Sequence, residues 1–179
     1  MLRVLELLAK ISQATGVSAL LIGGQALQAY GVIRQTLDVD LLVAEGDADV
    51  LEEALRRAGY GVLVRSDIFG RYRHASPALP DVDVLYVDGH TAERMLQRSA
   101  EHHAAAAPYR VPALPHLVAL KLHAIRNNPA REPRDFADIV ELLRTNAGTV
   151  GRDELQALCA AHGPEGIWQR LEEVLWKRP

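Results

Sequence analysis

The stretch Leu21–Val43, LIGGQALQAYGVIRQTLDVDLLV, is apolar at both ends and polar in the middle. The apolar run VSALLIGG predicts a short buried strand that ends in a Gly-Gly turn, and QALQAYG predicts a brief helix. TLDVDLLV predicts a second strand, yet it carries two aspartates separated by one residue. Because an unpaired buried carboxylate is costly, these side chains require a charged partner.

Alternation along the strands sorts the carboxylates by face. In TLDVDLLV a period of two places Asp38 and Asp40 together, opposite the apolar residues of the strand, and in DVDVLYVD it aligns Asp81 with Asp83. If the two strands are neighbours, three carboxylates converge and repel one another unless divalent cations lie between them. Oxygen ligands without a nearby cysteine favour Mg²⁺ or Mn²⁺ over zinc. An isolated D-x-D pair is more often a solvated strand end, so the neighbouring residues determine whether these aspartates are interpreted as metal ligands.

The context is the Gly-Gly turn upstream of the aspartates. A glycine turn between a strand and a short helix exposes backbone N–H groups, which suit phosphate oxygens. Gly23, Gly24 and Gln25 form this turn, and Arg34 and Thr36 lead into the D-x-D pair. We therefore interpret these five residues as a candidate nucleotide-binding set.

This arrangement resembles the nucleotidyltransferase superfamily with a palm of the DNA polymerase β type. The resemblance is carried by GG, by the D-x-D pair preceded by RQT, and by the later strand VDV. Within the superfamily, the opening stretch together with ALKLHAIRNNPAREPRDFADIVELL is most similar to AbiEii-type toxins and related minimal nucleotidyltransferases. The similar region covers roughly residues 1 to 145.

The resemblance implies roles for individual residues. Asp38 and Asp40 would bind the metals. Asp83 would be the third carboxylate, serving as a metal ligand and as the base, and Gly23 and Gly24 would hold the phosphates. Asp81 is the alternative third acid, because DVDV offers both.

The implied activity is metal-dependent transfer of a nucleoside monophosphate from a nucleoside triphosphate (NTP) to an acceptor hydroxyl on RNA or protein. The resemblance also implies a toxin with a cognate antitoxin as partner. Two alternatives stay open at this point. One is a nucleotidyltransferase acting on a small molecule such as an antibiotic, and the other is an inactive nucleotide-binding or antitoxin protein.

Two charged residues lie on predicted apolar helix faces. Lys121 falls in the middle of the apolar arc of PHLVALKLHAIR, and Asp135 falls between Leu142 and Ile139 in PRDFADIVELL. These inward charges either pair with each other or reach the cleft, Lys121 toward the triphosphate and Asp135 toward Lys121 or the sugar. Both residues therefore join the candidate nucleotide-binding set.

The order of predicted elements favours an α/β (α+β) fold, in which helices flank a mixed β-sheet of the nucleotidyltransferase type and a helical section follows. We expect a palm-like core over residues 1–112 and C-terminal helices, packed on the core, over residues 113–179. TAERMLQRSAEHH is predicted as one helix that ends at His102 and His103. The run Arg65, Arg71, Arg73 and His74 is interpreted as a solvated strand face, with a basic edge for RNA or a nucleotide as the alternative.

Composition narrows the class of protein. A net charge of -3 and a pI near 6.2 give no global electrostatic case for nucleic-acid or membrane binding. One cysteine excludes an intramolecular disulfide framework. No apolar run approaches the roughly 18 residues that a membrane span needs. We therefore expect a cytoplasmic protein without a membrane partner.

Overall fold

The computed structural model describes residues 2–104 and 107–177. The chain divides into two compact units, of which the first comprises Met1–Ala29 with Arg34–Pro112 and the second comprises Tyr30–Ile33 with Ala113–Pro179. No helix in the described part of the chain is long and apolar enough to cross a membrane.

The elements up to residue 112 alternate between helices and strands before a run of strands. In chain order they are α1 (Leu2–Thr15), β1 (Ala19–Ile22), α2 (Gly23–Ala26), a 3₁₀ turn (Leu27–Tyr30), β2 (Val39–Ala44), a second 3₁₀ turn (Glu45–Asp47), α3 (Ala48–Arg57), β3 (Tyr60–Arg65), β4 (Phe69–His74), β5 (Val82–Val87), α4 (Gly89–Gln97), β6 (Ala100–Ala104) and β7 (Ala107–Val111).

All seven strands found among the described residues belong to one mixed sheet with the order β3-β4-β5-β2-β1-β7-β6. The strand β2 is antiparallel to β1 and parallel to β5, whereas β4 is antiparallel to both β3 and β5. The strand β7 pairs in parallel with β1 and antiparallel with β6. This order places β2, which carries Asp40, between β1 and β5 near the middle of the sheet.

One face of the central strands is packed against helices. Leu21 of β1 and Leu41 of β2 are opposite each other in the antiparallel pair, and both are almost fully buried. They line a common cavity with Leu5 and Leu8 of α1 and Leu96 of α4. Burial of a leucine side chain contributes about 1.5–3 kcal/mol, so this face fixes which way β2 is turned. Side chains alternate along a strand, and Asp40 therefore points to the opposite face.

The second unit is helical. It contains α5 (Leu114–Asn127), a 3₁₀ turn (Pro129–Arg131), α6 (Glu132–Thr145), α7 (Arg152–His162), α8 (Ile167–Glu172) and a π-helical turn (Glu173–Lys177). The helix α5 contacts α6 and α7, and α7 contacts α8. Pro115 and Pro133 lie in the first turns of α5 and α6, where a missing N–H group costs no hydrogen bond.

The predicted fold class is confirmed, with one local correction. The helix predicted over TAERMLQRSAEHH ends at Gln97, and residues Ala100–Ala104 form β6. His102 therefore lies in a strand opposite Tyr109 of β7, and the two rings stack with centroids 5.8 Å apart. The cause is tertiary, because pairing with β7 satisfies the backbone and outweighs the helix propensity of this alanine-rich segment.

The packing of the second unit can be tested through its cysteine. Cys159 of α7 is the single cysteine of the chain and is buried, and this burial raises the pKa of its thiol to about 11. We expect the native protein at pH 8 to react with a thiol reagent at least about 100-fold more slowly than the unfolded chain. In the variant Cys159→Ser with Ala160→Cys, the thiol moves to an exposed position and should react rapidly. Equal rates for the two positions would contradict this packing.

Candidate active site

Three neighbouring strands place charged residues on one face of the sheet. Asp40 of β2 is opposite Asp83 of β5, and Asp83 is in turn opposite Arg71 of β4. Because β2 and β5 are parallel and adjacent, the Asp40 and Asp83 side chains emerge from the same face, one strand spacing of ~4.8 Å apart. The predicted meeting of the D-x-D strand with the VDV strand is therefore present in the sheet.

A second row of acids, Asp38 and Asp81, lies two residues earlier, just before β2 and β5 begin. Asp38 immediately precedes the strand residue Val39, and the Val39 N–H donates to the Asp81 carbonyl oxygen over 3.0 Å. This hydrogen bond holds the beginnings of the two strands together. Asp38 and Asp40 are both half-buried, whereas Asp83 is buried.

The Gly-Gly turn lies directly against the second aspartate of the D-x-D pair. Ile22, the last residue of β1, is opposite Asp40, and Gly23 follows it with φ of 63°. A Cβ atom on Gly23 would lie 2.0 Å from Asp40 Oδ2. Only glycine permits both this left-handed backbone and this close approach. Proximity of the turn to the Asp40 carboxylate is therefore built into the backbone.

The rest of the candidate nucleotide-binding set surrounds the second glycine. A Cβ atom on Gly24 would lie 3.0 Å from both Arg34 Nη2 and Thr36 Cβ, so these two residues lie close to the turn. Gln25 is buried, and its Oε1 accepts a hydrogen bond from Gln28 Nε2 over 3.3 Å. The structure thus brings the predicted phosphate turn, Arg34 and Thr36 together beside the aspartates.

Both candidates for the third carboxylate are bound by arginines of β4. Arg71 donates from Nε to Asp83 Oδ1 over 2.7 Å and from Nη2 to Asp83 Oδ2 over 2.5 Å. Arg73 forms an equivalent bidentate pair with Asp81, in which Nε donates to Oδ1 over 3.0 Å and Nη2 donates to Oδ2 over 2.7 Å. The hydrogen bonds from Arg73 hold the pKa of the Asp81 carboxyl below its usual value, and the bonds to Asp83 raise the pKa of Arg71.

Sequence reasoning missed these two ion pairs, because it interpreted Arg71 and Arg73 as a solvated strand face. A signal was available in FGRYRHAS, where two arginines at positions i and i+2 precede the two aspartates of DVDV at the same spacing. Once β4 and β5 pair in antiparallel fashion, these two sets of side chains face each other.

The donor set partly fits a divalent metal. Asp38 and Asp40 supply hard oxygen donors from one strand face, and Mg²⁺ characteristically takes one or two carboxylates from the protein. Both oxygens of Asp83 are engaged by Arg71. Across residues 2–104 and 107–177, no three His, Cys, Asp or Glu side chains are arranged to hold a metal ion. Of the three residues predicted as metal ligands, Asp38 and Asp40 therefore have suitable chemistry, whereas the third, Asp83, is bound to an arginine.

A cleft opens beside Asp38, also within the first unit. Its volume is about 470 Å³, and one side is formed by the approach to β2, including Leu37, whose side chain is largely exposed. The other side is the loop of residues 77–81, which leads into β5. Gln25 and Thr36 also line the cleft, so it adjoins the phosphate turn. The size suits a small polar substrate or part of one.

Lys121 and Asp135 lie in the second unit and pair with each other. The buried Lys121 ammonium donates to Asp135 Oδ1 over 3.0 Å and to Asp138 Oδ2 over 2.6 Å. Arg131 donates to the other Asp135 oxygen over 2.8 Å. Of the two alternatives left by the helical projection, pairing is observed. A contact of either residue with a nucleotide stays a prediction.

Comparison with known proteins assigns the family. Residues 6–174 match the family described as nucleotidyl transferase AbiEii toxin, type IV toxin–antitoxin system. The chain belongs to the AbiEii nucleotidyltransferase family. The predicted resemblance is thereby confirmed, and the protein is a nucleotidyltransferase. Comparison with curated protein sequences finds no significant match.

Solved structures share the fold of this AbiEii nucleotidyltransferase. The crystal structure of ANT(2'')-Ia in complex with adenylyl-2''-tobramycin has a TM-score of 0.67 and 16% identity, covering 89% of this chain and 94% of that chain. An antigenic nucleotidyltransferase-like protein from Paracoccidioides brasiliensis gives 0.62 and 16%, with coverages of 97% and 90%. The lincosamide antibiotic adenylyltransferase LnuA, lincomycin-bound, gives 0.55 and 12%, with coverages of 75% and 91%.

The close approach of Gly23 to Asp40 can be tested against a second glycine. Gly16 has a similar left-handed φ of 77°, but a Cβ atom there would meet nothing within 4 Å. We expect Gly16→Ala to lower the free energy of unfolding by about 1–2 kcal/mol, through backbone strain alone. Gly23→Ala adds the collision with Asp40 and should cost about 1–3 kcal/mol more. Urea denaturation measures both, and equal losses would contradict the geometry of the turn.

Proposed function

We propose that this nucleotidyltransferase transfers a nucleoside monophosphate from an NTP to an acceptor hydroxyl on RNA or protein in a metal-dependent reaction. The observation that carries the proposal is the parallel pairing of β2 with β5, which sets Asp40 opposite Asp83 while the Gly23 turn lies against Asp40. The metal ligands, the phosphate-binding turn and the base would then lie on one face of the sheet.

In this proposal, Asp38 and Asp40 hold Mg²⁺ or Mn²⁺ through their carboxylate oxygens. When bound, such an ion would neutralise phosphate charge and favour ionisation of the attacking hydroxyl. The backbone N–H groups of Gly23 and Gly24 bind phosphate oxygens, and Arg34 and Thr36 add a positive charge and a hydroxyl donor beside Gly24. Gln25 is placed by the same turn and is proposed to contact the nucleotide.

The chemical step is an in-line displacement at phosphorus. The acceptor oxygen forms a bond to the α-phosphorus, the bond from that phosphorus to the bridging oxygen breaks, and pyrophosphate leaves with the electron pair. Asp83 accepts the proton of the acceptor hydroxyl. We favour Asp83 over Asp81 as the third carboxylate because Asp83 is opposite Asp40, whereas Asp81 lies just outside β5.

The acceptor is proposed from the family. Membership among AbiEii toxins supports a toxin that modifies RNA or protein and has a cognate antitoxin as partner. A second candidate is transfer to a small antibiotic, which the adenylyl-tobramycin and lincomycin complexes of two structural neighbours support. A protein that only binds nucleotide is less well supported, because the three acids that the transfer needs, Asp38, Asp40 and Asp83, are all present in the chain.

Lys121 and Asp135 complete the proposed nucleotide-binding set. Asp138 is a second carboxylate on the Lys121 ammonium, and Arg131, which donates to the other Asp135 oxygen, brings the second positive charge. If the pair serves only the packing of the second unit, Lys121→Met should change stability but leave the KM for NTP unchanged. A raised KM in a folded variant supports the proposed contact.

A transfer assay with α-³²P-labelled NTPs tests the function. Each of the four nucleotides is incubated with Mg²⁺ and, in separate reactions, with total RNA, total protein or a set of aminoglycosides and lincosamides. The acceptor that gains label distinguishes the two candidate functions. No transfer to any acceptor, under conditions in which the protein binds an NTP with Mg²⁺, would contradict both and favour the binding protein.

In the same assay we expect Asp38→Asn and Asp40→Asn each to lower the transfer rate by at least about 10³-fold, because each removes a charged metal ligand. Asp67→Asn, at an exposed turn residue, is the matched control and should retain the full rate. Asp83→Asn should lower the rate more than Asp81→Asn. The opposite order of these two would assign the third carboxylate to Asp81, and an active Asp40→Asn variant would exclude the proposed site.

A further inference from the structure

The Arg71–Asp83 pair differs from its neighbour, the Arg73–Asp81 pair, in position and enclosure. Both ion pairs are bidentate, but the Asp83 side chain is 11% exposed, whereas the Asp81 side chain is 20% exposed. Asp83 is opposite Asp40 in the sheet, and its carboxylate belongs to the proposed catalytic group. Arg71 is therefore the arginine that stands beside the site, with Arg73 as a built-in comparison.

The pair opposes the roles that the proposed reaction gives to Asp83. Two guanidinium N–H groups take one lone pair on each Asp83 oxygen, so a proton or a cation has to reach the remaining lone pairs beside a positive charge. Arg71 also lies two strand positions from Asp40, about 10 Å at backbone level, and its positive charge opposes a divalent cation bound there. The Asp83 carboxylate is thus neutralised by the Arg71 guanidinium in this structure.

A triphosphate offers Arg71 an alternative partner. The guanidinium fork matches two phosphate oxygens as well as it matches a carboxylate, and phosphate carries the larger negative charge. The Arg71 side chain is 43% exposed, so it can leave Asp83 without opening the apolar core. On Asp83, the vacated oxygens then face the same side of the sheet as Asp40.

We propose that Arg71 is a positioning residue that exchanges Asp83 for the phosphates of the bound nucleotide. Asp83 joins Asp38 and Asp40 only when the nucleotide is present, so the third carboxylate is withheld from metal alone. This inference rests on the proposed function and adds to it an order of assembly. Its consequence is that a base becomes available only after the phosphates to be attacked are in place.

Two binding measurements test the exchange without any turnover. The first is the affinity for Mn²⁺ alone, measured by loss of the electron paramagnetic resonance signal of free Mn²⁺. The second is the affinity for inorganic tripolyphosphate in the presence of Mn²⁺, measured by calorimetry. Tripolyphosphate supplies the phosphate chain of an NTP without the sugar or the base, so the unknown base preference of the enzyme does not affect the measurement.

We expect Arg71→Gln to bind Mn²⁺ alone about tenfold more tightly than the natural protein, because Asp83 is released and a positive charge is removed. The same variant should bind tripolyphosphate about tenfold more weakly, because a phosphate ligand is lost. Arg73→Gln removes an equivalent charge from the adjacent pair and should change each affinity by less than about twofold.

Two further variants separate the proposed exchange from a folding defect and from the loss of charge alone. If Arg71→Gln leaves Asp83 unpaired and the chain unfolds, the double variant Arg71→Gln with Asp83→Asn removes that charge and should fold. It should lose the gain in Mn²⁺ affinity but keep the weaker tripolyphosphate binding. Arg71→Lys, which keeps the charge but lacks the fork, should bind Mn²⁺ like the natural protein.

The outcomes separate this inference from the proposed function. Unchanged Mn²⁺ affinity in folded Arg71→Gln, unchanged tripolyphosphate affinity, or equal effects of Arg73→Gln would each overturn the exchange while leaving the metal site standing. If the natural protein binds no Mn²⁺ even with tripolyphosphate, or if Asp40→Asn binds it equally well, the proposed function fails and the exchange fails with it.

Discussion

The constraint on which the site depends is the parallel pairing of β2 with β5. A shift of this pairing by one residue would turn one set of carboxylates to the other face, because side chains alternate along each strand. The shift is opposed by the apolar face, where Leu41 packs beneath helices α1 and α4. Hydrophobic packing on one face thus fixes the electrostatics of the other. Asp40 and Asp83 are held together at a cost that only charged partners can offset.

The surroundings of the D-x-D pair, Asp38 and Asp40, differ from those of Asp81 and Asp83. Arg71 and Arg73 neutralise the acids of β5 from the neighbouring strand β4, whereas the acids of the D-x-D pair lie next to the Gly-Gly turn. In the proposal, a metal with its nucleotide adds positive charge beside the D-x-D pair, and the arginines of β4 supply it to Asp81 and Asp83. An enzyme built in this way can keep its third carboxylate satisfied until the substrate arrives.

Local patterns in the sequence were sufficient for much of this description. The period of two put Asp38 and Asp40 on one face, the glycine pair marked the turn, and the helical projection identified Lys121 and Asp135 as charges on apolar faces. Cross-strand information was not contained in those patterns. Arg71 meets Asp83 only through the pairing of β4 with β5, whose connection over residues 75–81 includes a β-turn closed by the Leu79 N–H and the Ser76 carbonyl oxygen. Similarly, β6 forms only because β7 is beside it. Likewise, Asp138 joins Lys121 from the edge of its helical face.

The central claim is that Asp38, Asp40 and Asp83 form one metal–nucleotide site on the carboxylate-bearing face of the β2–β5 pair. A crystal structure with Mn²⁺ and a non-hydrolysable NTP tests it most directly, because the anomalous signal of manganese locates the ion. The account predicts manganese at about 2.1–2.2 Å from oxygens of Asp38 and Asp40, phosphates at the Gly23 turn, and Asp83 separated from Arg71. Manganese bound away from Asp40, or nucleotide bound with the Arg71–Asp83 pair intact, would contradict it.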